Sequence, residues 1–145
     1  MELSEIIKRD QWAGAEGTHN ELPLIIRFRN KVSKDCNLKP LPQLIQIFWD
    51  FEDSRSGMPS NEESNAMRVF EDRLVEALEP DLVGILIAAI TTNGYREWVY
   101  YVKSVEDFSE RLHAMPQEGD PYPIDIQTKE DPNWDYFFNN VRPEG

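Results

Sequence analysis

The sequence predicts an α+β fold: a ferredoxin-like β-α-β-β-α-β sandwich with an N-terminal β-hairpin and a short C-terminal helix added to it. Two observations lead to this class. Apolar residues alternate at period two in some segments and recur at helical spacing in others. In chain order, residues 42–128 read strand, helix, hairpin, helix, strand, which is the order of the split unit. We therefore expect one domain over residues 1–145, with residues 1–41 as an N-terminal extension and residues 131–141 as the C-terminal helix.

Length and composition fit a single globular domain. The 145 residues are 40% hydrophobic and 29% charged, and a chain of this length buries roughly 70% of the surface that its unfolded form exposes. No run approaches the roughly 18 apolar residues of a membrane helix, and the N-terminal residues lack the apolar core of a signal peptide. The single Cys36 cannot form an internal disulfide. These features predict a cytoplasmic protein with no membrane contact.

The formal net charge of −12 constrains the partners. An acidic surface repels the phosphate backbone of DNA and RNA, so we expect no direct nucleic-acid binding. The same charge accelerates encounter with a basic protein partner. The stretch "RFRNKVSKDCNLK" departs from this trend. Its five cations predict a solvated basic patch or, as the alternative, a dedicated anion site: Arg27, Arg29, Lys31, Lys34 and Lys39.

The first half of the chain predicts a hairpin, a strand and a helix. The run "LPLIIRFR" (22–29) is typical of a strand, and the turn residues at 16–20 make "QWAGA" the first arm of a hairpin. Residues 42–53 predict a strand whose core face is Ile45, Ile47, Trp49 and Phe51. Ser60 and Glu63 form a capping box that opens a helix. This helix ends at Pro80, and its core positions are Met67, Phe70, Leu74 and Leu78.

Residues 81–92 are apolar at nearly every position, which is typical of a strand covered on both faces. Asn93-Gly94 favours a two-residue turn, so residues 95–103 form the return strand of a hairpin. In the split unit, strand 81–92 lies at a sheet edge with one face free of helices. We therefore expect a cover, which is the N-terminal strands, the C-terminal helix, or a second subunit in a homodimer.

The remaining residues predict a helix, an edge strand and the C-terminal helix. Ser104 and Asp107 cap the first helix, whose inner side is Val105, Phe108 and Leu112. The edge strand has alternate apolar positions at Tyr122, Ile124 and Ile126. Asp131 as N-cap and Pro132 as the first helical residue start the C-terminal helix, whose docking face is Trp134, Phe137 and Phe138.

The return strand of the hairpin is unusually aromatic and carries most of the candidate site. Strand alternation puts Arg96, Trp98, Tyr100 and Val102 on one face and Tyr95, Glu97, Val99, Tyr101 and Lys103 on the other. Two interpretations are open. Both faces pack as ordinary core, or Tyr95 and Tyr101 with neighbours such as Phe48 form an aromatic platform for a partner.

Four ordered blocks, "SGMPSNEE", "FEDRLVEAL", "TTNGYREWVYYVKS" and "DPNWDYF", together resemble the bacterial family catalogued as domain of unknown function 695. The family is uncharacterised, so the resemblance implies no activity. Its members also look related in architecture to the ribonuclease E activity regulator B proteins. These are small acidic α+β proteins that bind and inhibit an RNA-degrading enzyme. That more distant likeness implies a regulator of a protein partner.

Patterns for catalysis and for metal binding are sparse. His19 and His113 are not at ligand spacing and Cys36 is single, so we predict no metal site and no cofactor. Carboxylates remain as candidates, because four of them would meet near the sheet edge: Asp50, Glu97, Asp125 and Asp131. Arg96 would then hold an anionic substrate through two hydrogen bonds.

Two functions follow from these observations. The first is a non-catalytic protein-interaction or regulatory module with a basic protein partner. The alternative is a small enzyme or ligand-binding domain with a carboxylate and arginine pocket between the hairpin at 94–98 and the helix at 131–138. We assign no catalytic residue. The candidate binding residues are Tyr95, Arg96, Glu97, Trp98, Tyr101 and Trp134.

Overall fold

The computed structural model describes residues 2–19, 21–51, 58–115 and 122–141, and it confirms a mixed α+β fold built on a six-stranded antiparallel sheet. The elements in chain order are α1 (Leu3–Arg9), β1 (Trp12–His19), β2 (Leu22–Arg29), β3 (Gln43–Asp50), α2 (Asn61–Leu78), β4 (Gly84–Thr92), β5 (Tyr95–Val102), α3 (Val105–Ala114), β6 (Ile124–Glu130) and α4, a π-helical turn (Phe137–Val141). No helix within the described ranges is long and apolar enough to cross a membrane.

The strand order of the sheet is β1-β2-β4-β5-β3-β6, and every neighbouring pair is antiparallel. The N-terminal hairpin extends the sheet, because β2 pairs with β4 from Leu24↔Thr92 to Phe28↔Ala88. The prediction that strand 81–92 lies at an edge is therefore wrong, since β4 has neighbours on both sides. The outermost strands are β1 and β6, and the predicted edge position of β6 is confirmed.

Helices α2 and α3 cover one face of the sheet. The predicted core face of β3 packs against them together with alternate residues of β5. The buried positions of α2 are the four that helical spacing predicts: Met67, Phe70, Leu74 and Leu78. Each fully buried side chain of this size contributes about 1.5–3 kcal/mol through removal of apolar surface from water, so the core face holds α2 in place.

Both long helices begin where their caps predict. The Ser60 hydroxyl accepts the backbone N–H of Glu63 at 3.2 Å, and the Ser104 hydroxyl accepts that of Asp107 at 3.1 Å. In α3, however, Phe108 is the buried residue, whereas Val105 is exposed. The prediction of Val105 as an inner position is therefore wrong, since Phe108 and, in part, Leu112 make the contacts of α3 with the core.

Three segments of the same chain cover the second face of the sheet. They are α1, the loop between β2 and β3, and the C-terminal segment (131–141). The cover expected over strand 81–92 therefore includes the C-terminal helix. Helix α1 was not predicted. It buries Leu3 and Ile6, which lie three residues apart on one helical face.

The C-terminal helix begins later than predicted. Residues 131–134 form a tight turn in which the Trp134 N–H donates to the Asp131 carbonyl at 3.0 Å, and helical structure starts at residue 135. Pro132 therefore lies in the turn rather than at the first helical position. The Asp131 carboxylate still caps the helix, because it accepts the N–H groups of Asp135 and Tyr136 at 2.9 and 3.0 Å.

Arg29 belongs to a buried ion pair and not to a solvated basic patch. It is 2% exposed, and its guanidinium donates to both carboxylate oxygens of Glu79 at 2.7 and 2.9 Å. It also donates to the Leu86 carbonyl at 3.0 Å, and the Leu86 N–H donates to Glu79 at 2.9 Å. This network joins β2, the end of α2 and the bulge between Leu86 and Ala88 in β4.

Candidate functional site

The β4–β5 hairpin positions most of the candidate residues. Asn93 and Gly94 form its turn with φ values of 48° and 83°, which this dipeptide tolerates better than other pairs. The register that follows pairs Thr92 with Tyr95. Strand alternation then sorts the candidates onto two faces. Tyr95, Glu97 and Tyr101 face away from α2, whereas Arg96 and Trp98 lie on the α2 face.

On the face away from α2, side chains of β3, β5 and β6 line an open cleft of about 540 Å³. Phe48 and Tyr95 are half-buried, and their ring centroids lie 6.2 Å apart. Asp50 is exposed, as is Asp125. Glu97 is next to Phe48 in the sheet register, on the same face. We call this set the acidic-aromatic surface: Phe48, Asp50, Tyr95, Glu97 and Asp125.

Glu97 is the buried member of this surface, being 5% exposed. Its carboxylate accepts hydrogen bonds from the Tyr136 hydroxyl at 2.6 Å and from the Gln46 amide at 3.1 Å. Burial, and then the hydrogen bond to Glu97, raise the pKa of Tyr136. Burial, followed by the charge of Glu97, also raises the pKa of Tyr95. Glu97 thus receives its hydrogen bonds from neutral donors.

Among the described residues, none supplies a counter-charge to the acidic-aromatic surface. Within the described part of the chain, no lysine, arginine or histidine lies within salt-bridge distance of Asp50, Glu97 or Asp125. Three carboxylates therefore flank the two aromatic rings, and the described ranges place no cation beside them. Negative potential at such a surface attracts a cationic group from outside the chain.

On the α2 face, the hairpin borders a groove of about 400 Å³ between β2, β4, β5 and α2. Charged side chains of both signs line it. We call it the arginine groove, and its charged residues are Arg27, Arg68, Glu71, Asp72 and Arg96. These residues carry one positive charge in excess, on a chain whose formal net charge is −12.

Arg27 is held from two sides at one wall of the arginine groove. Its guanidinium forms an ion pair with Glu71 and lies 4.8 Å from the centre of the Trp12 ring. Glu71 also accepts the indole N–H of Trp98 at 2.9 Å. Because Trp98 is fully buried, it fixes the position of Glu71 and, through it, that of Arg27.

Arg96 is half-buried at the floor of the groove, and its Nε–H donates to the Thr91 hydroxyl at 2.8 Å. The described residues provide no carboxylate within salt-bridge distance of Arg96 and no second acceptor for its guanidinium. Burial lowers the pKa of Arg96, an effect that Glu71 opposes and Arg27 reinforces. A guanidinium has five N–H donors, so most of them are left for a ligand.

Tyr101 and Trp134 form a stack inside the protein. Both are fully buried, and their rings are nearly parallel with centroids 4.2 Å apart. The Tyr101 hydroxyl donates to Asp131 at 2.7 Å, and the Trp134 indole donates to the Leu41 carbonyl at 2.9 Å. Burial and the hydrogen bond to Asp131 raise the pKa of Tyr101. The stack fastens the C-terminal segment to β5.

The strands and helices that form these surfaces belong to a region that matches a known protein family. Residues 10–140 match DUF695, described as a family of unknown function. The chain belongs to the DUF695 family. Comparisons with curated proteins and with solved structures gave no match. The DUF695 region extends from before β1 into α4, so it includes the acidic-aromatic surface and the arginine groove.

In this member of the DUF695 family, the structure separates the six predicted binding residues. Tyr95 and Glu97 lie on the acidic-aromatic surface, and Arg96 lies in the arginine groove. The other three are fully enclosed, with no exposed surface, so they take no part in an exposed platform: Trp98, Tyr101 and Trp134. A binding role for Tyr95, Arg96 and Glu97 stays a prediction.

The pocket predicted between residues 94–98 and 131–138 is replaced by a direct contact. Tyr136 of the C-terminal segment donates to Glu97, whereas Arg96 lies on the opposite face. Arg96 and Glu97 therefore do not share a site. Asp131, predicted to meet the other carboxylates, is bonded to Tyr101 instead.

Sequence reasoning missed the arginine groove as a site. Arg27 was predicted in a solvated basic patch or, as the alternative, in a dedicated anion site, and Arg68 with Asp72 was not considered. The available signal is their i,i+4 spacing, which places both on one polar face of α2. Among the residues that the structure describes, no three His, Cys, Asp or Glu side chains are grouped to hold a metal ion.

Proposed function

We propose that this member of the DUF695 family is a non-catalytic regulatory module that docks a basic protein partner on the acidic-aromatic surface. One observation carries the proposal. Asp50, Glu97 and Asp125 flank the rings of Phe48 and Tyr95, and the described residues provide no cation within salt-bridge distance of them. A lysine or arginine side chain supplies the missing charge.

The chemistry of the surface suits such a side chain. A cation over an aromatic ring gains about 0.5–2 kcal/mol, and nearby carboxylates add Coulomb attraction. The net charge of −12 increases the rate at which a basic partner arrives. Tyr95 contributes a ring and a hydroxyl at the same place, and tyrosine is a residue that interfaces favour.

A small enzyme or ligand-binding domain is the second candidate, and the arginine groove favours it. A groove of about 400 Å³ is in the size range of small-molecule sites. A homodimer is a further proposal, because β1 and β6 are the outermost strands of the sheet and the described residues form no further strand beside them.

The proposal also includes a ferredoxin-like topology for residues 42–128 and a cytoplasmic location. The order β4-β5-β3-β6, with α2 and α3 as crossovers on one face, supports a ferredoxin-like split unit over residues 42–128. The free Cys36 thiol supports a cytoplasmic setting. The likeness to ribonuclease E activity regulator B proteins agrees with a regulatory role and is an analogy of architecture and charge.

The docking proposal is tested with charge-matched variants. Fluorescently labelled tetralysine is titrated with the full chain at low and at high salt, and binding is followed by anisotropy. The Asp50→Asn/Asp125→Asn variant removes two carboxylates of the surface. The Asp35→Asn/Glu106→Gln variant removes two exposed carboxylates elsewhere and so has the same net charge. Any difference in tetralysine affinity between the two variants is therefore due to the position of the removed carboxylates and not to the net charge.

We expect Asp50→Asn/Asp125→Asn to weaken tetralysine binding by about tenfold or more, corresponding to about 1.4 kcal/mol, and the control to bind nearly as wild type does. Tyr95→Leu keeps the apolar area but removes the ring, so it should weaken binding by about 0.5–2 kcal/mol. Equal weakening in the two charge variants would show that tetralysine follows only the net charge, and the docking proposal would then be abandoned.

A further inference from the structure

The arginine groove, on the other side of the β4–β5 hairpin, is not used by the docking proposal and stands independently of it. Its floor is Arg96, which makes one hydrogen bond, to the Thr91 hydroxyl at 2.8 Å. The described residues place no carboxylate within salt-bridge distance of this guanidinium. A half-buried arginine with unused donors is suited to an anion, because ionised partners give the strongest hydrogen bonds.

The walls of the groove are organised before any ligand arrives. Glu71 and the ring of Trp12 hold Arg27 in one orientation, and the buried Trp98 holds Glu71. A side chain that is already fixed loses little conformational freedom when a ligand binds. Arg68 lines the same groove from the exposed side of α2 and adds a second guanidinium that the described residues leave without an ion pair.

The remaining lining groups extend the set of donors. Ser64 contributes a hydroxyl and Asn65 an amide. A phosphate group offers more acceptor oxygens than a carboxylate and matches the planar fork of arginine. The groove, at about 400 Å³, is much larger than one phosphate ion and leaves space for an attached organic group.

We propose that the arginine groove binds a small phosphorylated molecule, with the phosphate group held by Arg96 and Arg68. Arg27, through its ion pair with Glu71, shapes the wall and does not need to release its partner. The excess of one positive charge in the lining is neutralised by a bound phosphate. The rest of the ligand lies along the apolar part of the groove at Ile25 and Ala89.

The test is a heteronuclear NMR titration of the full-length protein with inorganic phosphate as the probe. Sodium chloride at equal ionic strength and sodium succinate are titrated in parallel. The variants are Arg96→Gln and the exposed Arg68→Gln, which remains informative if Arg96→Gln fails to fold. Arg9→Gln is the matched control, because Arg9 is an exposed arginine of α1.

We expect phosphate to give saturable shifts at the amides of Thr91 and Arg96 that chloride does not reproduce. Arg96→Gln and Arg68→Gln should each weaken phosphate binding by about tenfold, whereas Arg9→Gln should bind as wild type does. The proposal is overturned if phosphate shifts do not saturate, or if Arg9→Gln weakens binding as much as Arg68→Gln does. Tighter binding of succinate than of phosphate would overturn the assignment to a phosphate group.

Discussion

Arg29 and Arg96 both lie in the sheet, and their surroundings give them different roles. Arg29 is 2% exposed and donates to both oxygens of Glu79. Arg96 donates to Thr91 alone among the described residues. The first arginine is satisfied within the protein and stabilises the junction of β2, α2 and β4. The second retains donors that an external anion can use.

The ion pair of Arg29 gives the first stability prediction. Glu79→Ala removes the buried counter-charge of Arg29 and leaves only the exposed Asp10 carboxylate at 3.2 Å, so the free energy of unfolding should fall by about 3 kcal/mol. Urea denaturation followed by circular dichroism measures the change. Asp81→Ala is the control, because it removes a carboxylate from the exposed pair with Arg111 and should have little effect. Similar losses in both variants would contradict a structural role for the buried pair.

The tyrosine hydroxyls give a prediction at high pH. Burial raises the pKa of four tyrosine hydroxyls: Tyr95, Tyr100, Tyr101 and Tyr136. Hydrogen bonds to Asp131 and to Glu97 raise the pKa of Tyr101 and of Tyr136 further. Above about pH 10 the native state therefore binds more protons than the unfolded state, and stability falls as pH rises further. In a near-ultraviolet titration, the native protein should form phenolate at higher pH than the urea-unfolded protein does. Coincident titration curves would contradict the burial of these hydroxyls.

The roles of single residues could be predicted only in part. Alternation in β5 correctly separates Tyr95 and Glu97 from Arg96 and Trp98, because strand geometry is local. The burial of Arg29 could not be predicted, since its partner Glu79 is 50 residues away in the chain. The arginine groove could not be predicted for the same reason, because its residues come from β2, α2, β4 and β5, which are far apart in the sequence.

At the scale of elements, the stack of Tyr101 on Trp134 is a central contact between the C-terminal segment and the sheet. Trp134 adopts a φ of 58°, an unusual value for a bulky residue, and this turn directs its indole onto Tyr101. The strain is compensated by full burial of Trp134 and by its hydrogen bond to Leu41. The segment then brings Tyr136 to Glu97. A change in the stack should therefore affect the acidic-aromatic surface as well.

Trp134→Ala is the corresponding prediction. Removal of a fully buried indole should lower the free energy of unfolding by about 3–5 kcal/mol, through lost apolar contacts and the cavity that remains. Phe138→Ala, at a half-buried ring of the same segment, should cost less. Urea denaturation measures both. A smaller loss for Trp134→Ala than for Phe138→Ala would contradict the assigned role of the stack.

The β4–β5 turn supports a further prediction. Gly94 has a φ of 83°, where a β-branched residue is strained, so Gly94→Val should lower stability by about 1–2 kcal/mol. Gly17→Val is the matched control, because a Cβ at Gly17 meets no atom within 4 Å. Thermal unfolding of the two variants distinguishes the strain of the turn from the general effect of a valine. An unchanged Gly94→Val protein would contradict the assigned turn geometry.

Elements with strong local signals were predicted well, and those that depend on distant contacts were not. Ser60 and Ser104 mark the starts of α2 and α3 through hydrogen bonds to residues three positions ahead. The start of the C-terminal helix was misplaced because the turn at 131–134 is fixed by the Asp131 N–H bond to the Pro42 carbonyl, which no local pattern indicates. Short α1 was missed for a similar reason, since packing in the second core stabilises it.

At the scale of the whole molecule, the sheet separates two kinds of charged surface. The β4–β5 hairpin directs Tyr95 and Glu97 to one face and Arg96 to the other, within a chain of net charge −12. The net charge could be predicted from composition. The separation could not, because it follows from the order β1-β2-β4-β5-β3-β6, which joins strands far apart in the sequence. The two proposed sites therefore lie on opposite faces of the sheet.

The central claim is that a cationic partner recognises the acidic-aromatic surface itself and not the general negative charge of the protein. The most direct test is a chemical-shift map of the tetralysine complex by heteronuclear NMR. We predict that the largest shifts lie at Phe48, Asp50, Tyr95 and Asp125. Shifts spread evenly over the exposed carboxylates of α2 and α3 would contradict the claim.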